Sequence, residues 1–356
     1  MNLGEFVVNY GQQFNPNLIM KTNLMTALIM LMGMIQGYGV VTLGNSSNTN
    51  PPAGNRGWDT QGTWCLAAGT VVDKRWFITA THAGGEIGNK FILDGIEYTT
   101  IAKTNHPNPL MDCTMWKVNS DIPASYIAVM CTNTDLVGKP ITLFGRGISR
   151  GAPIYRRPLV LSDFIKGNCD EFKVMGDAGT SFKVECSTNL IDWTAMPAAY
   201  VVQPCGWTNI VIEGSTNSRM FYRAAAFDTL IGWGMGDYTG NLTWGTNVIA
   251  STDGGLISFT FDRNGGPDEG CFTFYDSGSG GFAEDAGQWK LAGINRGSPL
   301  GPFSSNGQDE FYGTMLDCSG LSWEGALFPT DQGVFPGVSY CTPLPVDWIK
   351  AVIKKK

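Results

Sequence analysis

Apolar residues in this chain gather in short runs broken by Gly, Asn, Asp and Pro. The runs Cys65–Val72, Trp76–Ala80, Lys90–Leu93, Tyr98–Ile101, Cys113–Val118 and Ile141–Phe144 are rich in β-branched and aromatic side chains and bounded by turn formers, the pattern of half-buried strands. The 3.6-residue period of an amphipathic helix is met only at Val346–Ile353, near the end of the chain. The pattern predicts an all-β fold with a C-terminal helix. Between 164 and 225 a separate set of runs appears: Phe172–Met175, Ser181–Cys186, Tyr200–Val202, Ile210–Glu213 and Met220–Ala224. Their alternation suits a half-buried antiparallel sheet and predicts a small β-sandwich module inserted into a larger β domain.

The longest apolar stretch, Leu24–Ile35, follows Lys21 and precedes Gly37-Tyr38-Gly39. It is short for a bilayer span and suits the apolar core of a signal peptide, with Met20-Lys-Thr-Asn-Leu as its charged start; a buried N-terminal helix is the other reading. The signal reading makes residues 1–39 a leader cleaved near Gly39. The mature chain is then exported to the periplasm, cell surface or medium, has no stable membrane span, and is permitted disulfides. Residues 40–57 form a linker, rich in turn formers from 44 onward. Residues 58–163, interrupted by the module at 164–225, continue at 226–356. The run Lys354, Lys355, Lys356 reads as a frayed end.

Composition narrows the chemistry. Gly supplies 46 of 356 residues, roughly twice ordinary usage, which fits tight turns and disfavours helical repeats. The net charge of −7, with no basic stripe, disfavours nucleic acid as a partner. The nine cysteines form no C-x-x-C pair and leave at least one unpaired; Cys186 and Cys205 fall in the module and are candidates to pair. Two histidines, His82 and His106, are too few for multi-histidine metal sites, and no metal or cofactor is expected.

His82 ends the apolar run Trp76-Phe-Ile-Thr-Ala-Thr-His82, where an imidazole can face a cleft from a fixed strand. Asp112 heads the strand-like run to Val118. Ser277 lies in Tyr275-Asp-Ser-Gly-Ser-Gly-Gly281, where small residues let a substrate carbonyl approach the main chain. Each has a plain alternative: a structural histidine, a turn aspartate, a Gly/Ser-rich hairpin.

Taken together, the three segments resemble the trypsin-like serine peptidases. Ile78-Thr-Ala-Thr-His82 is similar to (V/I)-T-A-A-H, Asp112-Cys-Thr-Met-Trp-Lys-Val118 to D-(I/L)-A-L-L-K-L, and Asp276-Ser277-Gly-Ser-Gly to D-S-G-G-P. Phe144-Gly-Arg-Gly147, Pro336-Gly-Val-Ser-Tyr340 and Val346-Asp-Trp-Ile-Lys350 resemble later landmarks of the family. Gly232-Trp-Gly-Met-Gly, Trp244-Gly-Thr-Asn-Val248 and Trp289-Lys-Leu-Ala-Gly-Ile294 resemble an exported bacterial branch. The resemblance covers about 58–163 and 226–350. It implies a chymotrypsin-like fold of two antiparallel six-stranded β-barrels, with protein or peptide as substrate. It also implies a serine endopeptidase in which His82 is the base, Asp112 orients it, Ser277 is the nucleophile, and the N–H groups of Tyr275 and Ser277 form the oxyanion hole. Cys271, Asn295, Gly297 and Gly337 fall at specificity-pocket positions.

Some features depart from the family. Tyr275 replaces a glycine; no I-V-G-G terminus stands near Gly57-Trp58 to give Asp276 an ammonium partner; Ala83 replaces a cysteine; Cys271 stands where trypsins carry an acid, which argues against strict Lys/Arg preference. Tyr275 and the missing terminus suit an alternative, a weak or inactive relative acting as an exported binding or surface protein. The module has a surface or protein ligand as its candidate partner. Gly147-Ile-Ser149-Arg-Gly151 fits G-x-S-x-G, but no histidine follows it, as an α/β-hydrolase requires. Asp262-Arg-Asn264-Gly-Gly-Pro-Asp268-Glu269 reads as a turn rather than a calcium loop.

Overall fold

A computed structural model describes residues 39–44, 48–155, 159–166, 169–176, 181–190, 194–213, 220–226, 230–304, 310–323, 326–329 and 335–355. Residues 1–38 of the expected leader, Leu24–Ile35 among them, lie outside the described residues. Among the described residues no helix is long and apolar enough to cross a membrane.

The strands 61–118 close into a six-stranded antiparallel barrel in the order Gln61–Trp64, Ala67–Asp73, Trp76–Ala80, Cys113–Val118, Ile96–Asn105, Lys90–Leu93. Closure runs through the pairs Thr63 with Ile92 and Trp64 with Phe91. The barrel's interior is filled by Trp64, Phe77, Phe91 and Trp116, all fully buried, while Ile92, Ile96 and Ile101 are exposed. The Phe77 and Phe91 rings stack at 4.0 Å. The run Cys65–Val72, expected as one strand, is broken: Cys65 takes φ 53° in a two-residue turn, and the chain reverses so that Trp64 pairs with Ala67. Tyr98–Ile101 is the centre of a longer strand, Ile96–Asn105.

A second six-stranded antiparallel sheet runs Thr243–Val248, Pro140–Gly145, Gly280–Asp285, Gln288–Gly297, Gly337–Pro343, Ile257–Phe261. Unlike the first, its ladder stays open between its edge strands. The Asn247 side chain spans the gap, donating to Thr260 O at 2.7 Å and Gly270 O at 3.1 Å. Ile141, Leu143, Phe259 and Phe272 fill its interior. Ile78 and Met115 of the barrel meet Phe144, Phe282 and Leu291 of this sheet in a shared core, and the helix Val346–Lys354 lays Ile349 and Val352 onto it. Such burial is worth about 25 cal/mol per Å² of apolar surface, so this core fixes the two halves against each other.

Two parts of the chain depart from a plain pair of barrels. Val40, Val41 and Thr42, expected in a linker, are buried, with Val41 paired to Cys271 and Thr42 to Gly270. The strands Ile148–Tyr155 and Leu230–Tyr238 pair from Ile148 with Tyr238 to Tyr155 with Leu230. Beyond their ends lie two three-stranded sheets. One orders Val160–Lys166, Cys169–Met175, Trp207–Glu213; the other Thr194–Val201, Ser181–Ser187, Phe221–Ala226. Val160–Lys166, a strand that the sequence pattern does not predict, straddles the expected module boundary at residue 164. These sheets have their own core of Phe172, Val174, Phe182, Val184 and Ile210. Pro197 is tolerated because Thr194–Val201 is an edge strand. All nine cysteines are free thiols, Cys186 and Cys205 included.

Candidate active site

His82 lies in a single 3-10 turn, Thr81–Ala83, that leaves the barrel strand Trp76–Ala80. The turn is held from beneath: the Trp64 indole donates to Gly84 O at 3.0 Å, and Thr81 N–H donates to Asp112 O at 3.2 Å. Asp112 follows the turn Pro109–Met111 and takes φ 38°, a left-handed conformation that aspartate tolerates better than most residues. From there its carboxylate reaches His82 twice. Oδ1 accepts from the His82 backbone N–H at 3.2 Å, and Oδ2 meets Nδ1 at 2.7 Å. On the far side of the ring, His82 Nε2 lies 2.7 Å from Ser277 Oγ. The Asp112 side chain is 14% exposed and that of His82 48%. The carboxylate is thus shielded while the imidazole opens to the cleft.

Ser277 comes from the other half of the molecule, on the loop before Gly280–Asp285. Three contacts hold that loop, two to the barrel and one to the strand Gln288–Gly297 of its own sheet. Ala68 N–H donates to Ser277 O at 3.1 Å, Gly278 N–H to Asn295 O at 3.0 Å, and Gly280 N–H to Gln61 Oε1 at 2.9 Å. Gly278 is required here. At φ 83° a Cβ would stand 2.1 Å from Thr79 Oγ1 and 2.2 Å from Ala68 O. Tyr275 adopts φ 71°, the region glycine enters freely. Among the described residues neither the Tyr275 nor the Ser277 N–H donates to a protein acceptor. The Tyr275 ring meets Tyr238 edge-to-face at 5.2 Å.

Asp276 is buried beneath this loop. Gly147 N–H donates to Oδ1 at 2.8 Å, while Thr273 N–H and Oγ1 donate to Oδ2 at 2.7 and 3.1 Å. Burial, only partly offset by those hydrogen bonds, pushes its carboxyl up to about 7. No cation lies within ion-pair reach of it among the described residues. This cradle explains Phe144-Gly-Arg-Gly147. A Cβ on Gly145 would stand 2.1 Å from Asp276 Oδ1, and one on Gly147 2.7 Å. In the sequence that motif is only a landmark by resemblance; its role against Asp276 depends on a contact 129 residues away. The chain's Gly39–Thr42 segment reaches the same place, with Thr273 Oγ1 3.5 Å from Gly39 O.

Two departures from the family motifs answer each other. Thr81 and Thr114 stand where the family carries alanine, and their hydroxyls lie 2.9 Å apart. Thr114 in turn donates to Asn105 Oδ1 at 3.0 Å, so Thr81 is the donor in the first bond. This polar line runs behind the His82–Asp112 pair.

A cavity of about 490 Å³ opens beside Ser277 and His82, walled by Leu66, Phe274, Tyr275 and Leu300. Of the expected specificity residues only Gly297 lines it. Cys271 is buried, its thiol 3.3 Å from Ser339 Oγ and 3.7 Å from Ser298 Oγ, and burial raises its pKa to about 11. Asn295 is buried and structural, donating to Phe144 O and Asp276 O. Gly337 packs against the Met315 backbone. His106 lies apart from this site: its Nδ1 accepts from Asn108 N–H at 3.1 Å and its ring abuts Trp348. Ser149 is buried in the strand Ile148–Tyr155. The segment after Asp262 turns back through Gly265 N–H to Asp262 O.

No protein-family model matches the chain, and no curated protein matches it. Among solved structures it is similar to neuropsin, a serine protease expressed in the limbic system of mouse brain. The identity is 13% and the TM-score 0.41, over 86% of this chain and 97% of that one. A likeness at that level carries no residue role to this chain.

Proposed function

We propose that this chain is an exported serine endopeptidase that cleaves peptide bonds through an acyl-enzyme. The observation that carries this reading is the unbroken line from Asp112 Oδ2 through His82 to Ser277 Oγ, with both links at 2.7 Å. Ser277 Oγ attacks the scissile carbonyl carbon as its proton passes to His82 Nε2. Asp112 holds the Nδ1–H tautomer and stabilises the imidazolium. The oxyanion takes the unengaged N–H groups of Tyr275 and Ser277. His82 then protonates the departing amine, and water activated by the same imidazole hydrolyses the ester, restoring Ser277.

Leader removal belongs to this proposal. Cleavage next to Gly39 leaves a new ammonium on a segment seated near Asp276, which otherwise has no cation beside it and whose protonated form the fold favours. The β-sheet pair beyond Tyr155 and Leu230 serves as a separate binding unit for a protein or surface ligand.

The test is hydrolysis of ester and peptide substrates. Ser277→Ala and His82→Ala are each expected to lower kcat by about 10⁴-fold or more, with no further loss when combined, because members of one relay do not add. Retained activity in Ser277→Ala would remove the assignment.

A further inference from the structure

The cavity beside Ser277 is walled largely by apolar and aromatic side chains, yet Arg296 enters it. Among the described residues no aspartate or glutamate lines this cavity, and Arg296 is its one arginine or lysine. Arg296 follows Asn295 at the end of the strand Gln288–Gly297. Asn295 is anchored to Phe144 O and Asp276 O, so the backbone that carries Arg296 is fixed to the serine loop. The guanidinium reaches across the cleft, where Nη1 donates to Leu110 O at 3.2 Å, two residues before Asp112. It thus bridges the serine side and the aspartate side of the site.

That contact uses one of five N–H donors. Among the described residues Arg296 meets no carboxylate and stacks on no aromatic ring. A half-buried guanidinium with most of its planar fork unengaged suits a carboxylate, which matches that fork with two parallel hydrogen bonds. The rest of the lining offers an incoming cation no carboxylate: its polar side chains other than His82 and Arg296 are the Cys65 thiol and the hydroxyls of Thr273, Tyr275, Ser277 and Ser298. The chain as a whole is acidic, at −7, so attraction of an acidic peptide must come from a local cation.

We propose that Arg296 selects substrates carrying an aspartate or glutamate side chain within a few residues of the scissile bond. This rests on the peptidase reading, and the experiment separates the two. Competent sites are first counted with a fluorophosphonate. Rates per labelled site are then measured on quenched peptides that differ at single positions by Asp against Asn and Glu against Gln. The native enzyme is expected to favour the acid at one position by about tenfold or more in kcat/KM, in line with a charge-assisted hydrogen bond. The preference should shrink as salt is raised. Arg296→Lys should keep part of it, Arg296→Gln should level it, and Arg296→Glu should turn it towards lysine. A labelled enzyme that treats Asp and Asn alike, or whose preference survives in Arg296→Gln, overturns the assignment of Arg296 and leaves the peptidase reading standing. An enzyme inert to the probe overturns both.

Discussion

Tyr275 occupies a backbone conformation that an L-residue enters at a cost of about 1–2 kcal/mol. Glycine would relieve that cost but lose about 0.5–1 kcal/mol through its freer unfolded chain. Tyr275→Gly is therefore expected to hold or slightly raise Tm, to leave kcat within about twofold, and to raise KM as an aromatic wall of the cavity is removed. A tenfold rise in kcat would mean instead that the tyrosine peptide misdirects its N–H. Asp276 makes a different prediction. Its carboxyl titrates near 7 in the fold against an ordinary value of 3.8, so the fold favours the protonated form. Its contribution to stability is present below about pH 4 and is lost as pH rises through about 7. Glu269, pushed up to about 7 by burial, adds to the same decline. In the chain that still carries residues 1–39, Asp276→Asn should therefore flatten part of the fall in Tm between pH 4 and 8, whatever it does to Tm itself. An unchanged slope would show that Asp276 is ionised throughout, as a nearby ammonium would make it.

The three residues that converge at the site were readable one element at a time. His82 stands where a strand leaves the barrel, Asp112 where the neighbouring strand begins, and Ser277 among glycines that allow close packing. What a local reading misses is contact across the fold. Thr81 and Thr114 lie 33 residues apart in separate motifs, yet their hydroxyls form one hydrogen bond between the turn Thr81–Ala83 and the strand Cys113–Val118. The Arg296 context carries no motif, and its place in the cleft depends on the anchoring of Asn295. The run from Cys65 to Val72 hid a turn because its turn residues are apolar. The threonine pair predicts a coupling. Each single alanine substitution should cost about 1 kcal/mol, because it leaves a hydroxyl short of a partner. The double substitution should cost clearly less than the sum, measured by denaturant unfolding. Strict additivity would show that the two hydroxyls act independently.

At the scale of the whole molecule, the closed barrel and the open six-stranded sheet each supply one side of the site. Among the described residues the paired sheets beyond residue 155 supply none of it. Tyr155 and Leu230 face each other across one ladder, so the chain leaves and returns at one point. Replacing residues 156–229 by a two-residue Asn-Gly turn should leave a soluble protein whose site still reacts, since this ladder suits a tight hairpin and the removed part has its own core. Insolubility of that deletion, with the full chain soluble, would place the sheets within the main folding unit. The most direct measurement of the central claim is peptide mapping by mass spectrometry after exposure of the full chain to a fluorophosphonate. The relay predicts one adduct, on Ser277 Oγ, formed at a rate that collapses in His82→Ala. An unmodified Ser277, or labelling that persists at the same rate without His82, would contradict it.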